Sequence, residues 1–238
     1  PTHNSDLLIG LALNEHKHSR LLRRINQDAT ELGDRLVQIC GNDDGYTRQP
    51  ATWRGQNGKF IEFRGCELEK DKQRYKGKPR DLIAYDELAD FLESQYVFIN
   101  TWNRSVDPDQ RCRIVGATNG PTTEDGKWIV RRWAAWLDPN YPNPAKDGEL
   151  RWYLTIDGND VEVDGPGPHE VRGKLVRATS RTFIRSRLEN NPDLAETGYG
   201  DRLESLPEEL RRVYRAGDFT VGFKDDDWSL CNKVQGAE

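Results

Sequence analysis

The chain has 238 residues, of which 35% are hydrophobic and 32% are charged, and this suits one large domain or two small ones with a buried core. Its formal net charge of −5 excludes a protein that is basic over its whole surface, so any contact with DNA must be local. The longest apolar run, residues 7–13, is too short to span a membrane, no signal peptide opens the chain, and the four cysteines are scattered without a CxxC pair, which disfavours a cysteine metal site.

The first part of the chain predicts helices and strands in alternation, followed by a hairpin. A helix, a short strand, a second helix and the hairpin are predicted, in that order, over residues 6–19, 20–25, 26–40 and 51–66. Asn4 or Ser5 would be the N-cap of the first helix. The hairpin is indicated by Asn57 and Gly58, a turn pair that lies between two alternating segments.

An acidic pair follows the next predicted strand. Residues 82–85 form a mostly apolar run that leads directly into Asp86 and Glu87, and an apolar stripe with helical spacing begins at residue 88. Two adjacent carboxylates repel each other and are costly to remove from water. We therefore expect a positive group beside them, such as a metal ion, a phosphate-bound magnesium or a basic side chain.

A second strand end carries polar side chains. Residues 111–121 predict a strand that ends in Thr118 and Asn119. Strand, helix and strand in succession indicate a parallel βαβ unit, and hence an α/β fold with a mainly parallel central sheet flanked by helices. Ligands of such sheets bind beyond the carboxyl ends of the strands, so we expect all four polar residues to lie at one edge.

The amino-acid composition changes near residue 138, where proline and turn residues become frequent. Residues 138–178 combine Pro-rich loops with hairpin signals, and they predict a small β-rich insertion that is remote from the site at the strand ends. Residues 198–219 predict two short helices, one of which starts at Pro207. The predicted organisation is one domain over residues 1–219, which contains the insertion, and an extension over residues 220–238.

The acidic pair has a chemical and a purely structural interpretation. In a nucleotide hydrolase the first carboxylate helps to hold magnesium, and the second can accept the proton of the attacking water. Two carboxylates after a strand can also form the first turn of a helix, where its dipole favours negative charge. The Thr-Asn pair at the next strand end shifts the balance toward function. Among the basic residues just before the strand, Arg74, Lys76 and Arg80 could reach a phosphate, or could be a solvated loop.

Several segments resemble, in order, the large terminase subunits of tailed bacteriophages and prophages, which are ATP-driven DNA-packaging motors. The resemblance extends from Ser5 to about Phe219. It is carried by the segments "KPRDLIAYDELADFLESQYVFINTWNRS", "RCRIVGATNGP", "GKWIVRRWAAWLDP", "GELRWYL", "SRTFIRSRLENNP" and "LESLPEELRRVYRAGDF".

The resemblance implies a P-loop NTPase of terminase type that uses ATP and Mg²⁺. By this likeness Asp86 and Glu87 match the Walker B aspartate and the catalytic glutamate, and Thr118 and Asn119 match the motif that couples hydrolysis to DNA movement. The implied partners are double-stranded DNA, a portal protein, a small terminase subunit and further copies of the chain in a ring, without a membrane. The implied location is the cytoplasm of the bacterial host, not the mature virion.

The chain departs from the family pattern at its phosphate-binding loop. Only Ser5, a candidate magnesium ligand, aligns with the end of the GxxxxGK[ST] motif, and Asn4 stands where the lysine belongs. Because the chain starts with Pro1 and contains no methionine, we expect either that it is truncated within this motif or that the loop is degenerate. Lys76 occupies the neighbourhood of the family's trans-acting arginine, and nuclease activity is not carried over to this chain.

Two other functions remain open at this point. A helicase-like ATPase would also use an Asp-Glu pair, although it needs a second motor domain. A prophage remnant without catalysis would bind DNA or partners, and the missing lysine favours it. Because few groups remain to clamp the γ-phosphate, we expect the chain as given to hydrolyse ATP poorly or not at all.

Overall fold

The structure is a computed structural model, and it describes residues 3–186 and 203–219. The chain divides into two compact units. The first consists of Pro1–Asn119 and Thr123–Gly126, and the second of Gly120–Thr122 and Lys127–Glu238. In the described residues no helix is both long and apolar enough to cross a membrane.

The first unit is an α/β structure built on a six-stranded sheet. Its helices are α1 His3–Asn14, α2 Asn26–Cys40 and α3 Glu93–Asn100, and its strands are β1 His18–Arg23, β2 Tyr46–Arg48, β3 Ala51–Arg54, β4 Phe60–Gly65, β5 Leu82–Asp86 and β6 Arg113–Ala117. The strand order is β2-β3-β4-β1-β5-β6. β4, β1, β5 and β6 are parallel, and β2 and β3 are antiparallel, so the predicted mainly parallel central sheet is confirmed.

The main core lies between this sheet and the first two helices. All five residues of β5 are buried, as expected for a central strand of a parallel sheet that is covered on both faces. The core joins side chains from α1, α2 and the central strands, among them Leu8, Leu21, Leu36, Ile61 and Leu82. The opposite face of β5 packs Tyr85 against the rings of Phe91 and Tyr96.

Several predicted boundaries shift in the structure. The first helix ends at Asn14, not residue 19, and β1 begins at His18. The predicted hairpin over 51–66 is present as β3 and β4, joined through a 3₁₀ turn at Gln56–Gly58. The apolar stripe after β5 is divided into a 3₁₀ turn, Leu88–Asp90, and α3. The division follows from the left-handed backbone of Glu87, which stops a helix from starting directly at the strand end.

The second unit contains short helices and small antiparallel sheets. Its described elements are α4 Trp128–Arg132, α5 Ala134–Leu137, β7 Arg151–Ile156, β8 Asn159–Val163, β9 His169–Val171, β10 Lys174–Val176, β11 Thr179–Arg181 and α6 Glu208–Ala216. The strands form a three-stranded sheet, β11-β7-β8, and a β9–β10 hairpin. The β-rich character of residues 138–178 therefore matches the prediction, and none of their strands belongs to the six-stranded sheet.

The predicted domain boundaries differ from this division. Along the sequence, the boundary between the two compact units lies between residues 119 and 127. The change in composition, which marks the predicted start of the insertion, lies near residue 138. The predicted extension over residues 220–238 lies outside the described residues, and so do residues 198–202 of the segment 198–219 in which two short helices were predicted. The organisation into one domain with an insertion therefore stays a prediction.

Candidate functional site

Asp86 is the centre of the site at the carboxyl edge of the sheet. Its side chain is only 1% exposed, and its Oδ2 accepts a hydrogen bond of 3.0 Å from the hydroxyl of Ser5 in the first turn of α1. The same oxygen accepts a hydrogen bond of 2.8 Å from Nε of Arg23 and lies 2.7 Å from its Nη2. The expected positive neighbour of the acidic pair is therefore an arginine at the end of β1.

Arg23 connects Asp86 with a second carboxylate. Its Nη1 donates a hydrogen bond of 3.2 Å to Glu31 on α2, while the rest of the guanidinium faces Asp86. The sequence analysis missed Arg23, because its role depends on β1 lying next to β5, with Leu22 paired to Tyr85. The usable signal was the basic pair at the end of the first strand, Arg23 and Arg24.

Glu87 has an unusual backbone and a perturbed carboxyl group. Its φ of 57° and ψ of 58° lie in the left-handed region, which few residues other than glycine adopt. Burial, together with the negative charges of Asp86 and Asp90, raises the pKa of Glu87 to about 7. The Arg23 charge and a hydrogen bond from the backbone of Asn119 oppose this rise. A carboxyl group with such a pKa exchanges protons near neutral pH, as a general base must.

Thr118 and Asn119 lie beside the turn that follows Glu87. The hydroxyl of Thr118 accepts a hydrogen bond of 3.0 Å from the backbone N–H of Ala89, and donates one of 2.9 Å to the carbonyl of Asn119. A Cβ on Gly116 would lie 2.4 Å from Cδ2 of Leu88, so a larger residue there would displace the Leu88 side chain that packs on β6. The structure thus brings together the two strand ends that the sequence analysis paired.

The remaining predicted residues are distributed differently. Asn4 lies next to Ser5 in the first turn of α1. Arg74 is exposed and pairs with Asp71 at 3.1 Å, and Lys76 is exposed. Arg80 precedes the amino end of β5, opposite Asp86, and pairs with Glu62 at 2.9 Å. Within residues 3–186 none of these three cations contacts Asp86 or Glu87, so the structure does not bring them to the acidic pair in the same chain.

A small cavity opens beside the site. It has a volume of about 280 Å³, and its lining includes Ser5, Arg23 and Glu31. A larger groove of about 850 Å³ lies between α2 and strands β2–β4, but it contains none of the predicted site residues. We therefore place the candidate site beside the smaller cavity, because Ser5 and Arg23 line it and both contact Asp86.

The donor set suits a magnesium ion that is largely held by a ligand. No group of three or more His, Cys, Asp and Glu side chains able to hold a metal occurs in the described part of the chain. Asp86 Oδ1 is buried and without a hydrogen-bond partner there, and the Ser5 hydroxyl is next to Oδ2. One carboxylate and one hydroxyl fit Mg²⁺, which usually keeps several waters and takes other oxygens from phosphates.

Two similar solved structures are both forms of one protein. One is the large terminase ATPase domain of Thermus phage P74-26, with a TM-score of 0.44, and the other is an arginine-to-alanine mutant of that domain, with a TM-score of 0.46. Each is 13% identical to this chain, over 91% of this chain and 82% of theirs. Both are thus large terminase ATPase domains, the kind of protein that the sequence motifs resemble. No protein-family model and no curated protein matches the chain.

Proposed function

We propose that this chain is the ATPase domain of a large terminase subunit, which couples ATP hydrolysis to the movement of double-stranded DNA into a procapsid. One observation carries the proposal. The buried Asp86, the perturbed Glu87 and the Thr118–Asn119 pair converge at one edge of a parallel sheet, beside the first turn of α1. This is where open α/β sheets bind their ligands.

Asp86 and Ser5 are the residues that would hold magnesium with the nucleotide. Both side chains are 1% exposed and lie in hydrogen-bond contact, so they are positioned before any ligand arrives. Bound Mg²⁺ would supply positive charge that offsets the negative charge of the phosphates. The N–H groups of the first α1 turn, which includes Asn4, face this edge and favour an anion.

Glu87 is the proposed general base. With a pKa of about 7, roughly half of the molecules carry an ionised Glu87 near neutral pH. Its left-handed backbone turns the chain away from β5, and its partly buried carboxyl group lies close enough to Asp86 for the charge of Asp86 to raise its pKa. The Thr118 hydroxyl accepts a hydrogen bond from the N–H of Ala89, which is two residues after Glu87. A shift of β6 would therefore be passed directly to the turn that holds Glu87, which is what a coupling motif requires.

The partners of this activity follow from the sequence resemblance. They are double-stranded DNA, a portal protein, a small terminase subunit and further copies of the chain in a ring, in the cytoplasm of a bacterial host. A ring would also give the exposed Arg74 and Lys76, or Arg80, a phosphate to reach on the neighbouring subunit. This is the role we propose for the cation that acts in trans.

One observation favours a second function, a remnant that binds DNA or partners without hydrolysis. Arg23 already neutralises Asp86, at 2.7 Å from Oδ2. A protein that had lost its nucleotide would keep such a pair to stabilise a buried carboxylate. Nothing in the described residues favours a helicase-like ATPase over the terminase type.

The test uses the full product of the gene as the parent protein. Magnesium-dependent ATP hydrolysis is measured in single-turnover conditions, and nucleotide binding is followed with a fluorescent ATP analogue. The parent is compared with Glu87→Gln, Asp86→Asn and the control Glu170→Gln, which changes an exposed glutamate in the same way.

We expect the parent to hydrolyse ATP, and Glu87→Gln to reduce the rate by about 100-fold or more while ATP still binds. Asp86→Asn should weaken the magnesium-dependent part of binding, and Glu170→Gln should change neither rate nor affinity. Hydrolysis that survives Glu87→Gln, or an inactive parent, would refute the ATPase proposal, and the second outcome would favour the remnant.

A further inference from the structure

Three exposed basic residues lie at the amino edge of the sheet, opposite Asp86. Arg54 ends β3 and pairs in register with Phe60, the first residue of β4. Lys78 lies in the loop before β5, and Arg104 follows α3. We call these three residues, Arg54, Lys78 and Arg104, the amino-edge patch.

The three members are neighbours because each contacts a shared framework centred on Arg80. The Cζ atoms of Arg54 and Arg80 lie 4.7 and 5.2 Å from the centre of the Phe60 ring. The backbone N–H of Arg104 donates a hydrogen bond of 3.0 Å to the carbonyl of Arg80. Lys78 precedes Arg80 by two residues.

Buried charged side chains hold Arg80 and the backbone of Lys78 in place. Glu62 Oε1 lies 2.7 Å from Nε of Arg20 and 2.9 Å from Nη2 of Arg80. Arg20 is fully buried, and its Nη2 also donates a hydrogen bond of 3.3 Å to the carbonyl of Lys78. The backbone of the patch is therefore held in place by groups that are themselves buried.

In the described residues the three cations of the amino-edge patch form no ion pair with a carboxylate. Arg80 is countered by Glu62. Arg54, Lys78 and Arg104, in contrast, are exposed, and none forms an ion pair with a carboxylate in residues 3–186 or 203–219. In a chain of net charge −5, three neighbouring unpaired cations are a local excess of positive charge.

The aromatic rings of the patch orient arginines and are not free platforms for bases. Phe60 already lies against two guanidiniums, and the ring of Trp102 lies 5.2 Å from Cζ of Arg104. Proteins that bind single strands need ring faces on which bases can stack. A guanidinium held on a ring keeps its N–H edges available for phosphate oxygens.

We propose that the amino-edge patch binds the phosphate backbone of double-stranded DNA, without reading its sequence. A duplex carries about one negative charge per 1.7 Å of its axis, so it places several phosphates within reach of three neighbouring cations, and its bases are hidden from the protein. The proposal locates the DNA contact of the proposed function, but it does not rest on hydrolysis, because binding is measured without nucleotide.

The experiment measures the binding of a short fluorescent DNA duplex of mixed sequence, by anisotropy, over a series of salt concentrations. The unmodified chain is compared with a triple variant, Arg54→Glu, Lys78→Glu and Arg104→Glu. The control variant, Arg48→Glu, Lys70→Glu and Lys174→Glu, makes the same change in net charge at exposed positions outside the patch. Equal circular dichroism spectra and melting temperatures show that both variants fold.

We expect the unmodified chain to bind the duplex with a salt-dependent affinity that is independent of sequence. The patch variant should lose about tenfold or more in affinity, and its slope of log affinity against log salt should become shallower by about three. The control should lose much less, and a single strand of the same length should bind more weakly than the duplex.

Three results would overturn the proposal. These are a patch variant that binds with the affinity and salt slope of the unmodified chain, a control variant that loses as much as the patch variant, and an unmodified chain that prefers the single strand. Hydrolysis that survives Glu87→Gln would refute the ATPase proposal but leave the DNA-binding result unchanged, so the two proposals fail separately. If the patch variant does not fold, the single substitutions Arg54→Ser and Arg104→Ser replace it, each with an expected decrease of about one in the salt slope.

Discussion

Glu87 combines two features that each reduce the stability of the fold. Its backbone is left-handed, with a φ of 57°, and its carboxyl group is held close to Asp86 and Asp90 in a partly buried place. Strained residues of this kind persist where the surrounding structure holds them and where the strain serves a function. The hydrogen bonds that Thr118 makes beside Glu87 provide this support.

Replacing Glu87 by glutamine is expected to stabilise the chain at neutral and higher pH. The folded pKa, about 7, lies above the ordinary value of 4.5, so the folded state holds the proton more tightly than the unfolded state does. Between these two values the stability of the parent therefore falls as pH rises, and the variant does not share this fall. Relative to the parent, the free energy of unfolding of the variant should be about 2 kcal/mol more favourable to the folded state at pH 7 than at pH 4.5. This figure already allows for the partial solvent exposure of the carboxyl group.

Urea unfolding at the two ends of this window, without metal or nucleotide, measures the difference. Glu170→Gln, at an exposed position, should show the same stability difference from the parent at both ends. An equal effect of Glu87→Gln at both pH values would mean that the carboxyl group is not perturbed as the structure indicates.

Arg23→Gln should destabilise the fold because it leaves the buried Asp86 with the Ser5 hydroxyl as its hydrogen-bond donor. Removing one partner of a buried, hydrogen-bonded charge pair costs about 3 kcal/mol, and less where one partner is partly exposed, as Arg23 is at 20%. In an Asp86→Asn background the same change should cost much less. Thermal and urea unfolding of the four proteins measure this coupling. Additive effects of the two substitutions would show that the pair contributes no specific energy.

At the scale of elements, Asp81 ties together the starts of neighbouring strands. Its carboxylate accepts hydrogen bonds of 3.0 Å from the backbone N–H groups of Lys17 and His18, just at the start of β1. Its carbonyl accepts one of 2.8 Å from the N–H of Arg113, the first residue of β6. Asp81 is 2% exposed, so water cannot readily replace the hydrogen bonds that Asp81 makes to these N–H groups.

Asp81→Asn should therefore cost about 2 kcal/mol at neutral pH, since one amide cannot accept the same charge-assisted bonds. Burial acts to raise the pKa of Asp81, but hydrogen bonds from His16 and from the two backbone N–H groups outweigh it, so the pKa lies below 3.8. The carboxylate thus contributes stability above pH 3.8, and this contribution is lost as pH falls through the folded pKa. Urea unfolding of parent and variant should converge in acid. A difference that persists there would assign the effect to packing.

At the scale of the molecule, the two compact units predict separate local responses to mutation. Glu162 on β8 accepts hydrogen bonds of 2.7 Å from Tyr141 and 3.0 Å from Arg151, and all three residues belong to the second unit. Glu162→Gln should increase amide hydrogen exchange in β7, β8 and β11, while β1 and β5 keep their protection. Mass spectrometry of peptic fragments resolves these segments. Equal acceleration in β1 and β5 would show that the chain opens as one cooperative unit.

Local signals in the sequence were enough for the parallel strands and for the position of the acidic pair, but they did not predict β2. An apolar strand followed by Asp86 and Glu87, and a second strand followed by Thr118, define the edge once parallel pairing is assumed. Arg23 could not be assigned in this way, because its partner is set by strand order and not by sequence distance. The boundary between the two compact units near residue 120 depends on contacts between segments that are far apart in sequence, so local sequence signals do not indicate it.

The contact between Arg23 and Asp86 has a consequence for the order of events at the site. Under the proposed function, an incoming magnesium–nucleotide complex would meet a carboxylate that already has its own counterion, at 2.7 Å. Its binding would therefore exchange one cation for another, and Glu31, already 3.2 Å from the guanidinium, would be the acceptor of the displaced arginine. The affinity of the site would then depend on the free-energy difference between the two positions of Arg23 as much as on the attraction of Asp86 for magnesium.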